Sequence, residues 1–177
     1  RIAVLEGDGI GPEVVRPAIA SLEAAARRRG GFQFEFLPYQ AGAAEYLRSG
    51  TPLPDKTLEG CANADATLLG AMGLPNVRWP SGTEMAPQID LREQLDLFSG
   101  VRPIYLYNEA HSPLKRYRKG EIDFVLFREN TEGMFASRKI PADLSAAEVR
   151  DTLLVTRHAT ERICREAFVL ASKRRKH

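Results

Sequence analysis

The sequence predicts an α/β protein whose first part is built on a parallel sheet. Three observations carry this. Ile2-Ala3-Val4-Leu5 is a short apolar run, residues 13–29 have helical apolar spacing, and residues 32–37 alternate like a half-buried strand. The scheme then repeats, with a helix over 55–63 leading to the apolar run 66–71, which reads as a buried strand. Finally, the composition is that of a globular chain: 177 residues, 44% hydrophobic and 27% charged, enough for one domain or two small ones. A strand, a helix and a second strand in that order make a right-handed crossover, and the two strands therefore run parallel.

Each element has a local cause. In the first helix Val14, Val15, Ala18, Ile19, Leu22 and Ala25 fall on one stripe, Pro12 suits the first helical position, and Gly30-Gly31 stops the helix. Pro17 is tolerable only near its first turn. Residues 72–87 form a long loop rich in Gly, Pro, Asn and Ser, with Trp79 as the single tryptophan; loops of that length inside a domain usually carry function or are disordered. A short helix is expected over 89–98. Beyond residue 99 the character changes, which places a domain boundary between 98 and 99. Residues 101–106, 122–128 and 153–157 read as strands, Ser145 and Glu148 as a capping box, and 160–173 as an amphipathic helix.

The charge balance narrows the function. With 25 Lys+Arg against 23 Asp+Glu the net charge is +2, too even for a nucleic-acid protein carried by bulk charge. No apolar run approaches the ~20 residues of a membrane span. Cys61 and Cys164 form no CxxC pattern and no disulfide framework, so a reducing cytoplasm is the expected location. His111, His158 and His177 lack ligand spacing. The chain starts on Arg1, one residue before a strand, and its final Lys173-Arg174-Arg175-Lys176 run reads as a solvated helix end. It is expected to be a piece of a longer protein.

Two sets of residues could carry chemistry. Gly7-Asp8-Gly9-Ile10-Gly11 follows a strand and opens a helix, as a dinucleotide-binding turn does. However, the pattern is GxGxG rather than GxGxxG, and Glu35 comes later than the usual ~20 residues. A tight turn needing positive φ is the better reading. The arginines are more informative. Arg92 lies on the helix after the long loop, Arg102 opens a strand, and Arg128 closes the apolar run 123–127. A guanidinium at the end of a buried strand is costly unless an anion meets it. Three such groups could converge on a small polycarboxylate, each forming a bidentate fork. The alternative is that Arg92 and Arg102 are ordinary surface charges and Arg128 pairs with Glu129 or Glu132.

IAVLEGDGIGPEV at 2–14, LREQLDLFSGVRP at 91–103 and FRENTEG at 127–133 resemble the β-decarboxylating dehydrogenases, the family of isocitrate, 3-isopropylmalate, homoisocitrate and tartrate dehydrogenases. The three motifs stand in family order along essentially the whole chain. The resemblance implies an isopropylmalate dehydrogenase-like two-domain α/β fold with a largely parallel sheet, not a standard Rossmann domain, and incomplete here. Residues 1–98 would be the first half of the larger, cofactor-side domain, and 99–177 the start of a smaller dimerisation domain. The implied activity is NAD- or NADP-dependent oxidation of a malate-type 2-hydroxy diacid, followed by metal-assisted decarboxylation with Mg²⁺ or Mn²⁺, in a homodimer. Arg92, Arg102 and Arg128 match the family's substrate arginines, while Gln88 and Ile89 would face the variable substituent. An isopropyl pocket would penalise an unpaired Gln amide, which favours a malate- or tartrate-like substrate. The cofactor would be held mainly by a later loop, expected beyond residue 177, and by the loop after the third strand, with Gly70, Met72 and Glu84 as its contacts here.

Departures from the family pattern qualify this reading. Phe135 stands where the family places the tyrosine that protonates the enol, and a phenyl ring has no proton to give. Either another group or water supplies the proton, or the chemistry stops at oxidation, or the reaction differs. Ala86 stands at the position of the regulatory serine of some isocitrate dehydrogenases, so that control is not expected. The family's catalytic lysine, which the partner subunit contributes, and its metal-binding aspartates are expected beyond residue 177. No metal ligand is assigned in this segment. A non-catalytic homologue that binds the diacid without turnover is the alternative function.

Overall fold

The computed structural model describes residues 1–138, 140 and 145–175, so Lys176 and His177 lie outside the described residues. The chain divides into two compact units, Arg1–Leu95 and Asp96–His177.

In the first unit β1 (Ile2–Gly7) leads into α1 (Gly11–Arg29), followed by β2 (Phe36–Tyr39), α2 (Ala43–Ser49), α3 (Asp55–Ala62), β3 (Ala66–Ala71) and α4 (Pro87–Gln94). The sheet order is β2-β1-β3 and both pairings are parallel, with Ile2 opposite Phe36 on one side and Ala66 on the other. The crossover expected from the sequence is therefore present. Being central, β1 buries Ala3, Val4 and Leu5 almost completely. Leu5 and Ala3 join Ala41, Cys61 and Leu91 in the core, and Tyr39, Leu58 and Met72 pack around them.

Several expectations shift in register. Strand β2 begins at Phe36 rather than 32, because pairing with β1 starts there; Pro38 is tolerated because β2 is an edge strand. Strand β3 is not the buried strand its apolar run suggests: it is the other edge and only half covered, with Leu69 exposed. Helix α1 starts two residues earlier than the periodicity suggests and contains Pro17 within its exposed face. Helix α2 has no counterpart in the sequence reading, and α4 spans Pro87–Gln94 rather than 89–98.

In the second unit β4 (Ser99–Tyr105) and β5 (Asp123–Glu129) form an antiparallel pair, and α5 (Arg157–Ser172) packs on β5. Short 3₁₀ turns occupy Glu109–His111 and Met134–Ser137. Residues 153–157 are not a strand: Leu154 makes one isolated bridge to Gly133, and Arg157 already opens α5. The side chain that caps this helix is Thr156, whose hydroxyl accepts from the Ala159 N–H at 3.1 Å. Among the described residues no helix starts at Ser145, so the capping box expected there does not form. The basic end of the chain is more than a solvated helix end, since Arg174 and Arg175 both pair with Asp123 at the start of β5.

Candidate active site

The turn after β1 is built on two positive-φ glycines, Gly7 at 75° and Gly9 at 55°. A side chain at Gly7 would run into the Ala71 carbonyl at 1.9 Å, so this glycine lets β1 and β3 approach. Between the two glycines, Asp8 is 4% exposed. Its carboxylate accepts three backbone N–H bonds: from Ala43 at 2.7 Å, Ala44 at 2.9 Å and Gly73 at 2.8 Å. Asp8 therefore caps the N-terminus of α2 from 35 residues away, which compensates for Gly42, a residue with no side chain to cap it. Gly42 is required here, since a Cβ would fall 2.3 Å from the Asp8 carboxylate. The turn is thus a structural joint, in keeping with the tight-turn reading of GxGxG.

The loop after β3 begins at Met72 and Gly73 and ends at Glu84 and Met85. It folds back on itself through a bridge between Arg78 and Glu84 and a Trp79 N–H bond to the Thr83 carbonyl at 2.9 Å. The Trp79 ring meets Tyr46 of α2 edge-on, centroids 5.2 Å apart. Gly73 has φ +103° and an open Cβ position whose nearest neighbours, Glu84 Oε1 and the Met85 carbonyl, are both at 3.9 Å. The Glu84 carboxylate therefore borders the Gly73 backbone at an exposed edge. Gly70 serves packing, because a Cβ there would meet the Glu6 carbonyl at 2.1 Å. Met72 is half-buried, its sulfur 3.2 Å from where a Gly7 side chain would stand.

Helix α4 opens on Pro87, which is buried, as is Leu91. Gln88, Ile89 and Arg92 fall within an arc of about 100° on another flank, and all three are half-buried. The Gln88 Oε1 atom is buried and has no hydrogen-bond partner. A buried acceptor without a donor is costly.

In the second unit the strand period of two sorts the residues of β5. Asp123, Val125, Phe127 and Glu129 share one face, on which α5 lies; Phe124, Leu126 and Arg128 share the other and are exposed. The run 123–127 is therefore amphipathic rather than buried, which corrects the expectation that Arg128 ends a buried strand. Arg128 pairs in register with Gly100, and Arg102 with Leu126. The two arginines thus occupy the same face as diagonal neighbours, a relation that sets backbones roughly 7–8 Å apart in an antiparallel pair. Both are exposed, and among the described residues neither enters an ion pair or hydrogen bond. Arg128 instead lies over the ring of Phe135, 5.2 Å from its centre.

The rest of the RENTEG motif explains why Arg128 does not pair with its neighbouring acids. Glu129 accepts from the Thr131 hydroxyl at 2.6 Å and N–H at 2.7 Å, and faces Arg162 at 3.5 Å. Glu132 accepts from the hydroxyl and N–H of Thr156 at 2.6 and 2.9 Å, locking the start of α5. Asn130 is buried beside Gly100, where a Cβ would meet its amide at 2.8 Å. Both candidate partners of Arg128 are thus engaged elsewhere, so the pairing alternative does not occur. Burial opposes the charge of Glu129, yet the two Thr131 bonds and the Arg162 guanidinium outweigh it and hold its carboxyl below the usual range.

Asp8 and Arg162 are the residues that sequence reasoning passes over. Arg162 is 17% exposed: it grips Asp96 at 2.9 and 3.0 Å and the Thr131 hydroxyl at 2.7 Å, and stacks 4.4 Å from the centre of the Phe98 ring. The available signal is a charge within the buried stripe of an amphipathic helix, beside Ala159 and Ile163. For Asp8 it is an acid fixed between two turn glycines. Neither cysteine is placed as a nucleophile: Cys61 is buried, and that burial pushes its thiol up, a Thr67 hydrogen bond lowering it less, while Cys164 is exposed. Among the described residues no three His, Cys, Asp or Glu side chains group as they would around a metal ion, and none of the helices is long and apolar enough to cross a membrane.

A family model described as isocitrate/isopropylmalate dehydrogenase matches residues 1–177. The chain belongs to this family. It is 40% identical over 185 residues to a 3-isopropylmalate dehydrogenase of Moorella thermoacetica, covering 100% of this chain and 51% of that one. It is 39% identical over 184 residues to the Bacillus subtilis protein of the same name, covering 99% and 50%. The chain thus spans about half the length of the curated relatives it matches. Its fold superposes on an isocitrate dehydrogenase from Methylococcus capsulatus with TM-score 0.75 at 30% identity, covering 97% of this chain and 47% of that one. A beta-decarboxylating dehydrogenase from Thermococcus kodakarensis gives 0.69 at 29%, covering 98% and 46%. The α/β fold of this family is therefore the fold of this chain.

Proposed function

We propose that the protein containing this chain is an NAD- or NADP-dependent dehydrogenase that oxidises a malate-type 2-hydroxy diacid and decarboxylates the product, working in the cytoplasm as a homodimer. The observation that carries the reading is the pair Arg102 and Arg128: two guanidinium groups on one strand face, without ion-pair partners among the described residues. Two unpaired forks at this spacing suit the two carboxylates of one small diacid. Arg92, in the first unit, matches the family's third substrate arginine. The first unit would serve the cofactor and the second would begin the dimerisation domain.

Gln88 and Ile89 would meet the substituent that distinguishes one diacid from another. A polar Gln88 side chain at that position favours a hydroxyl-bearing substituent over an isopropyl group, which offers it no hydrogen-bond partner. On the cofactor side the chain offers Glu84, an exposed carboxylate able to accept from ribose hydroxyls, beside the bare Gly73 backbone, with Met72 and Gly70 behind. Bound NAD or NADP supplies the hydride acceptor. A divalent metal belongs to the reading through the family, but the described residues do not themselves assemble its ligands. Phe135 excludes the ring at this position as proton donor to an enol.

The test is NAD(P)H production by the full-length protein with a panel of 2-hydroxy diacids in the presence of Mg²⁺ or Mn²⁺. Turnover of a malate or tartrate in preference to 3-isopropylmalate is expected. Phe135 also favours a second reading, a homologue that binds diacids without turnover; tight diacid binding with no reduced cofactor from any substrate would select it.

A further inference from the structure

We infer that Asp8 is a positioning residue for the cofactor loop, holding the start of that loop against α2. The inference rests on the reading that the loop after β3 receives the cofactor. Asp8 is buried and both oxygens of its carboxylate are engaged, by three N–H groups from two separate places, the first turn of α2 and Gly73. The Gly73 bond is the one with no fold-building equivalent. Residues 72–77 have no strand or helix pairing to fix them, so the Asp8 oxygen at 2.8 Å sets where Gly73 lies. Gly73 in turn borders Glu84 at the far end of the loop. A second tie, Tyr46 against Trp79, joins the same helix to the loop's middle. Helix α2 and the loop are therefore tied directly through the two rings and indirectly through the Asp8 carboxylate, which bonds to both.

The geometry also argues against a direct ligand contact by the Asp8 carboxylate itself. Asp8 points into protein rather than outward, and a Cβ on Gly42 would strike it, so its oxygens are not available to a ligand's hydroxyls. Its effect on a cofactor is indirect, through the placement of Gly73 and Glu84.

The experiment uses Asp8→Ala in the full-length protein, which removes the acceptor for all three N–H donors, whereas an Asn could keep its oxygen where Ala43 and Gly73 donate. Hydrogen exchange of residues 72–86 without cofactor, and the Kd values for NADH, NADPH and the diacid, are measured together. Faster exchange across 72–86 is expected. So is a roughly tenfold weaker Kd for the preferred reduced nucleotide, with the diacid Kd and the kcat at saturating cofactor unchanged. Unchanged exchange would overturn the positioning role. Faster exchange with unchanged nucleotide affinity would overturn its bearing on the cofactor, and Glu84→Ala then locates the fault: a Glu84→Ala protein that also binds nucleotide normally shows that the loop was wrongly assigned. Should Asp8→Ala fail to fold, the unaltered protein still decides. Its Gly73 amide, though in a loop, is expected to exchange as slowly as those of Ala43 and Ala44, and rapid exchange there would sink the proposal.

Discussion

The guanidinium of Arg128 stands over the ring of Phe135, 5.2 Å from its centre. A cation over an aromatic face is worth roughly 0.5–1 kcal/mol at an exposed site, and tyrosine would preserve it while adding a hydroxyl. Phe135→Tyr is therefore expected to leave diacid binding nearly unchanged. It should raise the ratio of decarboxylated to merely oxidised product on the order of 100-fold, the low end of what a positioned general acid contributes. Product ratios by NMR check this, and an unaltered ratio counts against a proton-donor deficit at this position.

Arg128→Ala separates binding from folding. The side chain is exposed and, among the described residues, its contact is the Phe135 ring, so thermal stability should fall by less than about 1 kcal/mol. Losing a charge-assisted fork should weaken the diacid by roughly 10–100-fold, since hydrogen bonds to charged groups are worth about 1.5–3 kcal/mol. Arg128→Lys should recover only part of this, because an ammonium cannot make the bidentate contact. Calorimetric titration with malate and tartrate reads both.

Glu129 gives the second unit an acid-sensitive tie. Its folded carboxyl titrates below the ordinary value of 4.5, so the stability it contributes is fully present above that value and drains away as pH falls through the lower folded one. Glu129→Gln should lower the urea midpoint at pH 7, because Arg162 loses one of its two acidic partners. It should also flatten the decline in stability below about pH 4.5. An equally steep acid limb in the variant would mean that other carboxylates govern it.

The glycines of the first turn should part company. Gly9 has φ 55° and open space around it, so Gly9→Ala costs about 1–2 kcal/mol of backbone strain and leaves nucleotide affinity unchanged. A dinucleotide fingerprint would demand the opposite, a loss of affinity as the side chain meets the pyrophosphate. Gly42→Ala combines φ +118° with a contact of 2.3 Å to Asp8, and should destabilise far more than Gly9→Ala in denaturant melts.

What the sequence disclosed follows the range of the forces involved. Strands β1 and β3 and helices α1, α3 and α5 announce themselves because their apolar period is local, and the three motifs carried the family. Helix α2 stayed hidden because its cap is Asp8, supplied by a distant turn, and its own boundary, Gly42, looks like any loop glycine. Phe124 and Leu126 misled for a different reason. An apolar strand reads as buried whatever covers it, and only the pairing with β4 and the position of α5 reveal which face is open. The arginines could be singled out by type and position, but whether Glu129 and Glu132 neutralised Arg128 depended on Arg162 and Thr156, far along the chain.

The bonds of Asp8 span 35, 36 and 65 residues. A seven-residue helix cannot persist alone in water, and contacts between distant residues must first overcome the entropy of closing the intervening chain. Helix α2 therefore cannot act as an early nucleus. Its lasting order awaits the chain closure that brings the N–H groups of Ala43 and Ala44 to the Asp8 carboxylate, so a helix short in sequence is long-range in folding.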